Sequence, residues 1–512
     1  MSCLHSRVGG NVVALLGVHT DADFRGDQHG TCQQLEKDRY RKPYLRYHSI
    51  INLRKIERNN MAILLKKPSK ADMTEGPFLK KIILFAIPVM LTTFIQQFYH
   101  TVDQAVVNHF GVRGGLAAIG SVGSLSSLIT GLFMGLSVGA GVVAAQRIGA
   151  KKQEEITKVI HTSALLAAIL GGLISVLGVL LSRSLLVWTG VPAEVLDQST
   201  LYLQIHFLGT VGHMAGDSQR PLSFLLISGA VKVLMSILFV GAFRFGVAGV
   251  SLATALSYYL SAAMVLIYMA RQKGILHFSL RQLKLDPASV KQILLIGVPS
   301  GIQSSLFSLS NVVIQSSVNF FGAAAIAGNA AGDTLGTYIY YCGHAVYQAV
   351  LTFVGQNVGA KRYDNVKRVT GLCLLVAVIS QFVLGMLLLL LRSFFVGLLG
   401  VDDEAIRQVA FQRMLLELPL YWICGIMDVF SGALRGMGKS ITNTVVSLVG
   451  ACAFRVVWVN VIFHFVARNI GWVFISKPIS WAIVGTVNGL FFLYYYRKRV
   501  KEQQIELTTT AE

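Results

Sequence analysis

Charged residues are scarce in this chain of 512 residues: 14% are Asp, Glu, Lys or Arg, against about 25% in an ordinary soluble protein. The six cysteines include no pair at the spacing of a metal or thiol-redox motif. No phosphate-binding glycine loop, nucleophile elbow or metal-binding histidine pair is found either. These deficits exclude a water-soluble enzyme and a secreted disulfide scaffold. We expect no enzymatic activity and no cofactor.

Apolar residues are abundant instead, at 54% of the chain, with a mean hydropathy of +0.59. About 20 helical residues, rising 1.5 Å each, are needed to cross the hydrocarbon core of about 30 Å. Apolar stretches of that length recur from Phe78 onward and predict an all-α integral membrane protein. The twelve predicted transmembrane helices are 79–110, 116–147, 156–182, 195–216, 222–243, 246–270, 292–321, 324–357, 366–391, 405–434, 441–464 and 472–496.

Positive charge exceeds negative charge, with 45 Lys and Arg against 25 Asp and Glu. The basic residues cluster in short segments between apolar runs, so the expected partner is the lipid bilayer rather than nucleic acid. After residue 72, 22 of 32 basic residues fall on the side that holds both termini, and seven, Arg413 among them, fall at loops or helix ends opposite. The positive-inside rule therefore predicts a multi-pass protein of the plasma or inner membrane, with both termini in the cytoplasm.

The two halves of the apolar region repeat. Pro88 matches Pro299 and Gly149 matches Gly359, at offsets of 211 and 210, whereas Gly249 matches Gly471 at an offset of 222. Because each unit has an even number of helices, this indicates two parallel six-helix repeats. The jump in offset predicts that the fourth helix is shortened by about 12 residues, although it still crosses the membrane.

The domain boundaries follow from these patterns. Residues 73–272 form the predicted N-lobe (helices 1–6), 273–291 a cytoplasmic linker, 292–500 the C-lobe (helices 7–12), and 501–512 a cytoplasmic tail. Residues 1–72 are polar and mixed in charge, and we interpret them as a disordered extension or a mis-assigned start.

Polar side chains recur at spacings of three and four in several spans, which places them on one face of each helix. Such groups are expensive in hydrocarbon unless they are paired or face a cavity. Two interpretations stay open: hydrogen bonds that only hold the helices together, or a polar substrate cavity. The cavity candidates are Gln96, His100, Ser308, Asn311, Gln315, Asn329, Asp333, Tyr340, His344 and Asp428.

Several motifs resemble those of bacterial multidrug and toxic compound extrusion (MATE) transporters, and are most similar to the DNA-damage-inducible branch. They read MTEGPFLKKIILFAIPVML, GDSQRPLSFLLISG, GVAGVSLATALS, FSLSNVVIQSSVNFFG and GALRGMGKS. The resemblance implies two lobes around a V-shaped cleft and export of organic cations or drugs in exchange for H⁺ or Na⁺. It also implies that Asp103, in HTVDQAVVNHFG, binds the coupling cation and that Thr254 assists it.

One pair of positions departs from that family pattern. Where relatives carry asparagine, and then Asn or Asp four residues later, this chain has Lys232 and Ser236. A lysine at mid-span is costly alone, so we expect it to pair with Asp103 and to act as a tethered cation in the coupling site.

These observations predict a secondary active antiporter that works by rocking of its lobes, and we expect it to be a monomer. Since no ATP site is recognisable, an ion gradient must supply the energy. Two alternatives remain: a lipid-linked oligosaccharide flippase of the same superfamily, which should line its cleft with several Arg and Lys, and a non-transporting, degenerate paralogue.

Overall fold

The computed structural model of the chain describes residues 73–112, 114–217, 222–271, 278–279, 281, 283–399, 401–465 and 469–509. The predicted N-terminal extension, 1–72, lies outside these described residues. Within them the regular structure is helical throughout and no strand is present.

The first repeat comprises six long helices. They are α1 (Phe78–His109), α2 (Gly115–Gly149), α3 (Gln153–Trp188), α4 (Ala193–Asp217), α5 (Leu222–Ile237, extended by the π-helical turn Leu238–Ala242) and α6 (Gly246–Arg271). Each corresponds to one predicted span, in the predicted order.

The second repeat has the same order, with more interruptions. It comprises α7 (Pro287–Asn319), α8 (Ala323–Gly359), α9 (Tyr363–Leu390), the short α10 (Arg392–Leu398), α11 (Glu404–Glu417), α12 (Tyr421–Gly436), α13 (Ser440–Ser447), α14 (Phe454–Phe465) and α15 (Ile470–Thr509). A 3₁₀ turn, Leu418–Leu420, joins α11 to α12, and a π-helical segment, Leu448–Ala453, joins α13 to α14. The tenth and eleventh spans are therefore each built from two helices.

The apolar surface is that of a membrane protein. Ten helical segments of the described chain are long and apolar enough to cross a bilayer. Large apolar side chains such as Leu180 and Leu390 are 72% and 76% exposed, as expected for side chains that face lipid. The prediction of an all-α integral membrane protein is confirmed.

Two of the twelve predicted spans, α4 and α8, are not among those ten. With 25 and 37 residues, both are long enough to cross, so their polar composition rather than their length sets them apart. The fourth span is shorter than its counterpart, because α4 has 25 residues and Glu404–Gly436 has 33. This difference of eight residues is smaller than the predicted difference of about 12. At 1.5 Å per residue, 25 residues extend about 37 Å, enough for the hydrocarbon core.

The second repeat begins at a well-defined N-cap. The Asp286 carboxylate accepts hydrogen bonds from the Ser289 backbone N–H at 2.8 Å and the Ser289 hydroxyl at 2.6 Å, and Pro287 occupies the first helical turn. Proline is favoured there because its missing N–H would have no helical partner. The Ser289 hydrogen bonds also favour the ionised carboxylate, and they lower the pKa of Asp286 below its usual value.

The two repeats meet where α2 and α8 cross, at the end of the bundle that holds Met73 and the C-terminal helix. A Cβ at Gly149 would collide with the carbonyl of Gln356, and a Cβ at Gly359 would collide with the carbonyl of Gln146. These contacts are symmetric, because both pairs are related by the repeat offset of 210. Only glycine permits so close a backbone approach.

The same end is closed further by the start of the described chain. The Met73 N–H donates to Gln356 Oε1 at 3.1 Å, and Asn357 Nδ2 donates to the Met73 carbonyl at 2.9 Å. Gln146 Nε2 donates to the Gly436 carbonyl at 2.9 Å, which ties α2 to the end of α12. The repeats are therefore tightly joined on this side of the molecule.

Candidate functional site

The first part of the site is an ion pair inside the N-lobe. Lys232 Nζ, from α5, lies 2.6 Å from Asp103 Oδ2, from α1, and each side chain is 7% exposed. Such a distance is typical of a charge-assisted hydrogen bond. The predicted pairing of Lys232 with Asp103 is confirmed, and the ammonium lies directly against the carboxylate.

Histidine and tyrosine side chains surround this pair. His100, one turn before Asp103 on α1, is exposed and lies near Lys232 and His213. His206, from α4, contacts the Ser126 hydroxyl at 2.9 Å and stacks on Tyr202. The shortened fourth helix thus supplies polar groups to the same interior as Lys232.

The two hydroxyl residues expected at this pair are differently placed. Ser236, one turn after Lys232, is fully buried and lies beside Asp103. Thr254, on α6, is 5% exposed, and its hydroxyl makes no hydrogen bond with any described residue. Thr254 therefore lines the lobe interior without joining the ion pair.

The second part of the site is a four-membered ion network in the C-lobe. Arg413 on α11, which is 2% exposed, bonds to Asp333 on α8 and lies 3.2 Å from Glu417. Lys477 on α15 lies 3.3 Å from Asp333 and 3.7 Å from Glu417. Two cations and two carboxylates balance one another, and Asp333 remains 56% exposed.

Three amide side chains extend the network along α7 and α8. Arg413 Nη1 donates to Asn329 Oδ1 at 2.6 Å, Asn329 Nδ2 donates to Gln315 Oε1 at 2.9 Å, and Gln315 Nε2 donates to Asn319 Oδ1 at 2.9 Å. The two predicted cavity residues Gln315 and Asn329 are thus engaged in interhelical bonding, the alternative that the sequence left open.

A separate buried cluster surrounds Arg435, at the end of α12. Its guanidinium donates to the Tyr347 hydroxyl and, at 2.8 Å, to Gln303 Oε1. Asn443 Nδ2 donates to the same Gln303 oxygen at 3.2 Å, and Asn488 Nδ2 donates to Asn443 Oδ1 at 2.9 Å. Both terminal nitrogens of Arg435 are therefore bonded without a carboxylate, whereas its buried Nε has no hydrogen-bond partner among the described residues.

Asp428, on α12, is the exception among the carboxylates. Its Oδ2 atom is buried and has no hydrogen-bond partner among the described residues. Tyr340 and His344 of α8 line the same region: Tyr340 lies near Asp428, is 40% exposed and stacks obliquely on His344. His344 in turn contacts Gln348 at 3.2 Å. Asp428 is thus available to a proton or a bound cation.

Three of the predicted cavity residues, Gln96, Ser308 and Asn311, lie apart from the ionic groups. Gln96 is half-buried, Asn311 is exposed, and the Ser308 hydroxyl donates to the Ser304 carbonyl one turn earlier. The structure does not bring these side chains into the two ionic clusters.

Sequence reasoning missed several basic groups of the site. The positive-inside count places Arg413 at a helix end, but α11 begins at Glu404, so Arg413 lies more than two turns inside the span. The signal was available, because Arg413 and Glu417 are four residues apart and can pair on one helix face. Arg455, on α14, is buried at 4% exposure; the sequence already places it inside a span, together with Lys232 and Lys477, but assigns it no role.

No group of three or more His, Cys, Asp or Glu residues in the described chain is arranged to hold a metal ion. The site consists of charged and amide side chains within the membrane-spanning helices, most of them buried. Chemically, it can bind and release ions and polar molecules.

Comparisons with known proteins agree with this architecture. The chain is 25% identical over 472 residues to the probable multidrug resistance protein YoeA of Bacillus subtilis (strain 168), covering 88% of this chain and 99% of that protein. It is 21% identical over 448 residues to the probable multidrug resistance protein NorM of Thermotoga maritima, covering 83% and 96%. These names do not assign the chain to the DNA-damage-inducible branch, which stays a prediction.

Solved structures share the fold. A multidrug resistance MATE family transporter of the MOP superfamily in an outward-facing conformation superposes with a TM-score of 0.77 at 19% identity, covering 85% of this chain and 99% of that one. A MATE in the bent conformation gives 0.78 at 18% identity, with the same coverage. The MatE family model matches residues 88–250 and again 299–462, one match in each repeat. The chain therefore belongs to the MatE family of multidrug efflux transporters.

Proposed function

We propose that this MatE family member is a secondary active antiporter, which exports small organic molecules in exchange for inward H⁺ or Na⁺. The observation that carries the proposal is Asp428, a carboxylate in a membrane-spanning helix with a buried oxygen that no described residue binds. An ionisable group in such a place is costly and marks ion or substrate pathways. Asp428 can alternate between the coupling ion and the cationic group of a substrate.

The N-lobe contributes differently in this proposal. Lys232 already neutralises Asp103 at 2.6 Å, so an external cation would have to displace a tethered ammonium. The pair holds the lobe together as a permanently occupied cation site, and coupling shifts to the C-lobe carboxylates.

Alternating access by rocking of the two lobes fits the symmetric crossing of α2 and α8. Closely packed glycines at one end, Gly149 and Gly359, join the lobes there, whereas Asp333 towards the other end of α8 is 56% exposed. Opening the joined end and closing the opposite end would expose the interior to the other side of the membrane without unfolding a span.

The proposal places the protein in the plasma or inner membrane as a monomer, with both termini in the cytoplasm. The basic residues near the joined end, including Lys151, Lys152, Lys361 and Arg362, are the support for this orientation. Lys361 lies 2.6 Å from Glu506 of the C-terminal helix, and this hydrogen bond raises the pKa of Lys361, which keeps it charged there.

The interior is less suited to a lipid-linked oligosaccharide. Lys232, Arg413 and Lys477 are each matched to a carboxylate within 4 Å. Arg455 has no anionic partner among the described residues, but a single guanidinium is not the cluster of cations that a pyrophosphate requires. The alternative of a degenerate, non-transporting paralogue is supported by the shortened α4. That helix nevertheless brings His206 into the interior.

Transport in proteoliposomes tests the proposal. The purified full-length protein is reconstituted, the membrane potential is clamped at zero, and a pH or Na⁺ gradient is imposed while tetramethylrhodamine methyl ester, a fluorescent cation, is followed. We expect dye accumulation against its gradient under one of the two ion gradients, and none in protein-free vesicles. Equilibration without accumulation under both gradients would refute antiport.

A further inference from the structure

Arg455 lies next to the position in the second repeat that corresponds to Lys232 in the first. The offset of 222 carries Lys232 to position 454, one residue from Arg455, while the offset of 211 carries Asp103 to Ile314. Both basic residues are buried in equivalent spans, at 5% and 4% exposure. The C-lobe thus has a buried cation next to the position equivalent to Lys232, and an apolar residue at the position equivalent to Asp103.

The contacts of Arg455 confirm that it has no anionic partner. Its Nε donates to the Ser480 hydroxyl at 2.8 Å, and its guanidinium lies over the Phe307 ring at 5.8 Å. No carboxylate of the described chain lies within ion-pair distance. A guanidinium has five N–H donors in a fork, and the donors of its two terminal nitrogens make no hydrogen bond with a described residue.

Other interior cations differ in this respect. Arg413 and Lys477 share Asp333 and Glu417, and Arg435 donates to Tyr347 and Gln303. A buried, unpaired charge is retained at considerable cost, and in membrane-spanning helices such residues mark ligand pathways. The free fork of Arg455 has the geometry that binds carboxylate or phosphate oxygens in pairs.

Asp428 is one helical turn after Cys424, and both Asp428 and Arg455 lie near that thiol. The carboxylate and the guanidinium are therefore both in the region of Cys424, without forming an ion pair with each other.

We propose that Arg455 binds an anionic group of the substrate, a carboxylate or an equivalent oxyanion. Substrates that carry such an anionic group are then preferred over simple cations. This inference rests on the proposed export function and specifies its substrate class.

A matched pair of dyes tests it. Tetramethylrhodamine free acid is a zwitterion, and its methyl ester differs in lacking the negative charge. Fluorescence polarisation with the purified full-length protein measures the binding of both. We expect Arg455→Gln to weaken binding of the acid by about tenfold, the loss typical of one charge-assisted contact, and to change binding of the ester by less than about twofold.

Arg455→Lys keeps the charge but removes the planar fork, and it should weaken binding of the acid less than Arg455→Gln does. It also serves as the test variant if Arg455→Gln does not fold. Equal losses for both dyes, unchanged binding of the acid, or no binding of the acid by the wild-type protein would each overturn the inference. Its failure is distinct from failure of the antiporter proposal, which depends on gradient-driven accumulation of the ester.

Discussion

Lys232 Nζ lies 2.6 Å from Asp103 Oδ2 in the interior of the N-lobe, where both side chains are 7% exposed. The contact joins the fifth span to the first, and it places a covalently tethered cation against the carboxylate. Each charge lowers the free-energy cost of burying the other in hydrocarbon. The loss of stability on removing one charge should therefore depend on whether the other remains.

Stability should reveal this dependence. We expect Asp103→Asn alone or Lys232→Asn alone to destabilise the protein by about 3–5 kcal/mol, because each leaves a buried charge unpaired. The double variant Asp103→Asn/Lys232→Asn should recover most of that loss, because neither charge remains. The measurement is the melting temperature of the purified proteins in one detergent. Additive losses in the double variant would show that the two residues act independently.

The Arg413 network allows a comparison between buried and exposed ion pairs. Arg413→Met leaves Glu417, which is 2% exposed, without its closest cation, and should cost about 3–5 kcal/mol. The matched control is Arg183→Met at the exposed Arg183–Asp197 pair, where the side chains are 62% and 84% exposed. Pairs of that kind are worth at most about 1 kcal/mol. Similar changes in melting temperature for both variants would contradict the account of a balanced interior network.

The glycine crossing should control the conformational equilibrium. Gly149→Ala places a methyl group against the Gln356 carbonyl, and overpacking of this kind costs about 1–3 kcal/mol. We expect the lobes to separate at that end. A single cysteine at Ser308, in a variant without the native cysteines, should then react faster with a membrane-impermeant thiol reagent from the side of the termini.

Gly172→Ala is the control for the crossing, because a Cβ at Gly172 meets no atom within 4 Å. It should leave the labelling rate unchanged. If the two alanine variants label alike, the crossing does not hold the lobes together.

The order of the helices and the Lys232–Asp103 pair could be predicted from sequence for related reasons. Helices that cross the hydrocarbon core need long apolar runs, and a lysine in the middle of such a run is costly without a partner. Both features can therefore be recognised in the sequence. The match between the first and second repeats likewise predicted the shorter fourth helix, because a missing segment changes the offset between equivalent residues.

Contacts that depend on distant parts of the chain left no such pattern. Arg435 reaches Gln303 across 132 residues, and nothing in either local sequence specifies the partner. The break at Leu418–Leu420 is locally encoded by Pro419, which removes a helical hydrogen bond, yet the apolar run continues through it. The absence of an anionic partner for Arg455 is a property of the packed lobe.

The role of the N-lobe pair is tested most directly by gradient-driven transport. The double variant Asp103→Asn/Lys232→Asn removes the pair without leaving a lone charge, and Asp428→Asn removes the unpartnered carboxylate of the C-lobe. Reconstituted in proteoliposomes at zero membrane potential, the double variant should accumulate tetramethylrhodamine methyl ester under the same ion gradient as the wild type, whereas Asp428→Asn should not. If the folded double variant loses gradient-driven accumulation while Asp428→Asn retains it, coupling runs through Asp103 and the account is wrong.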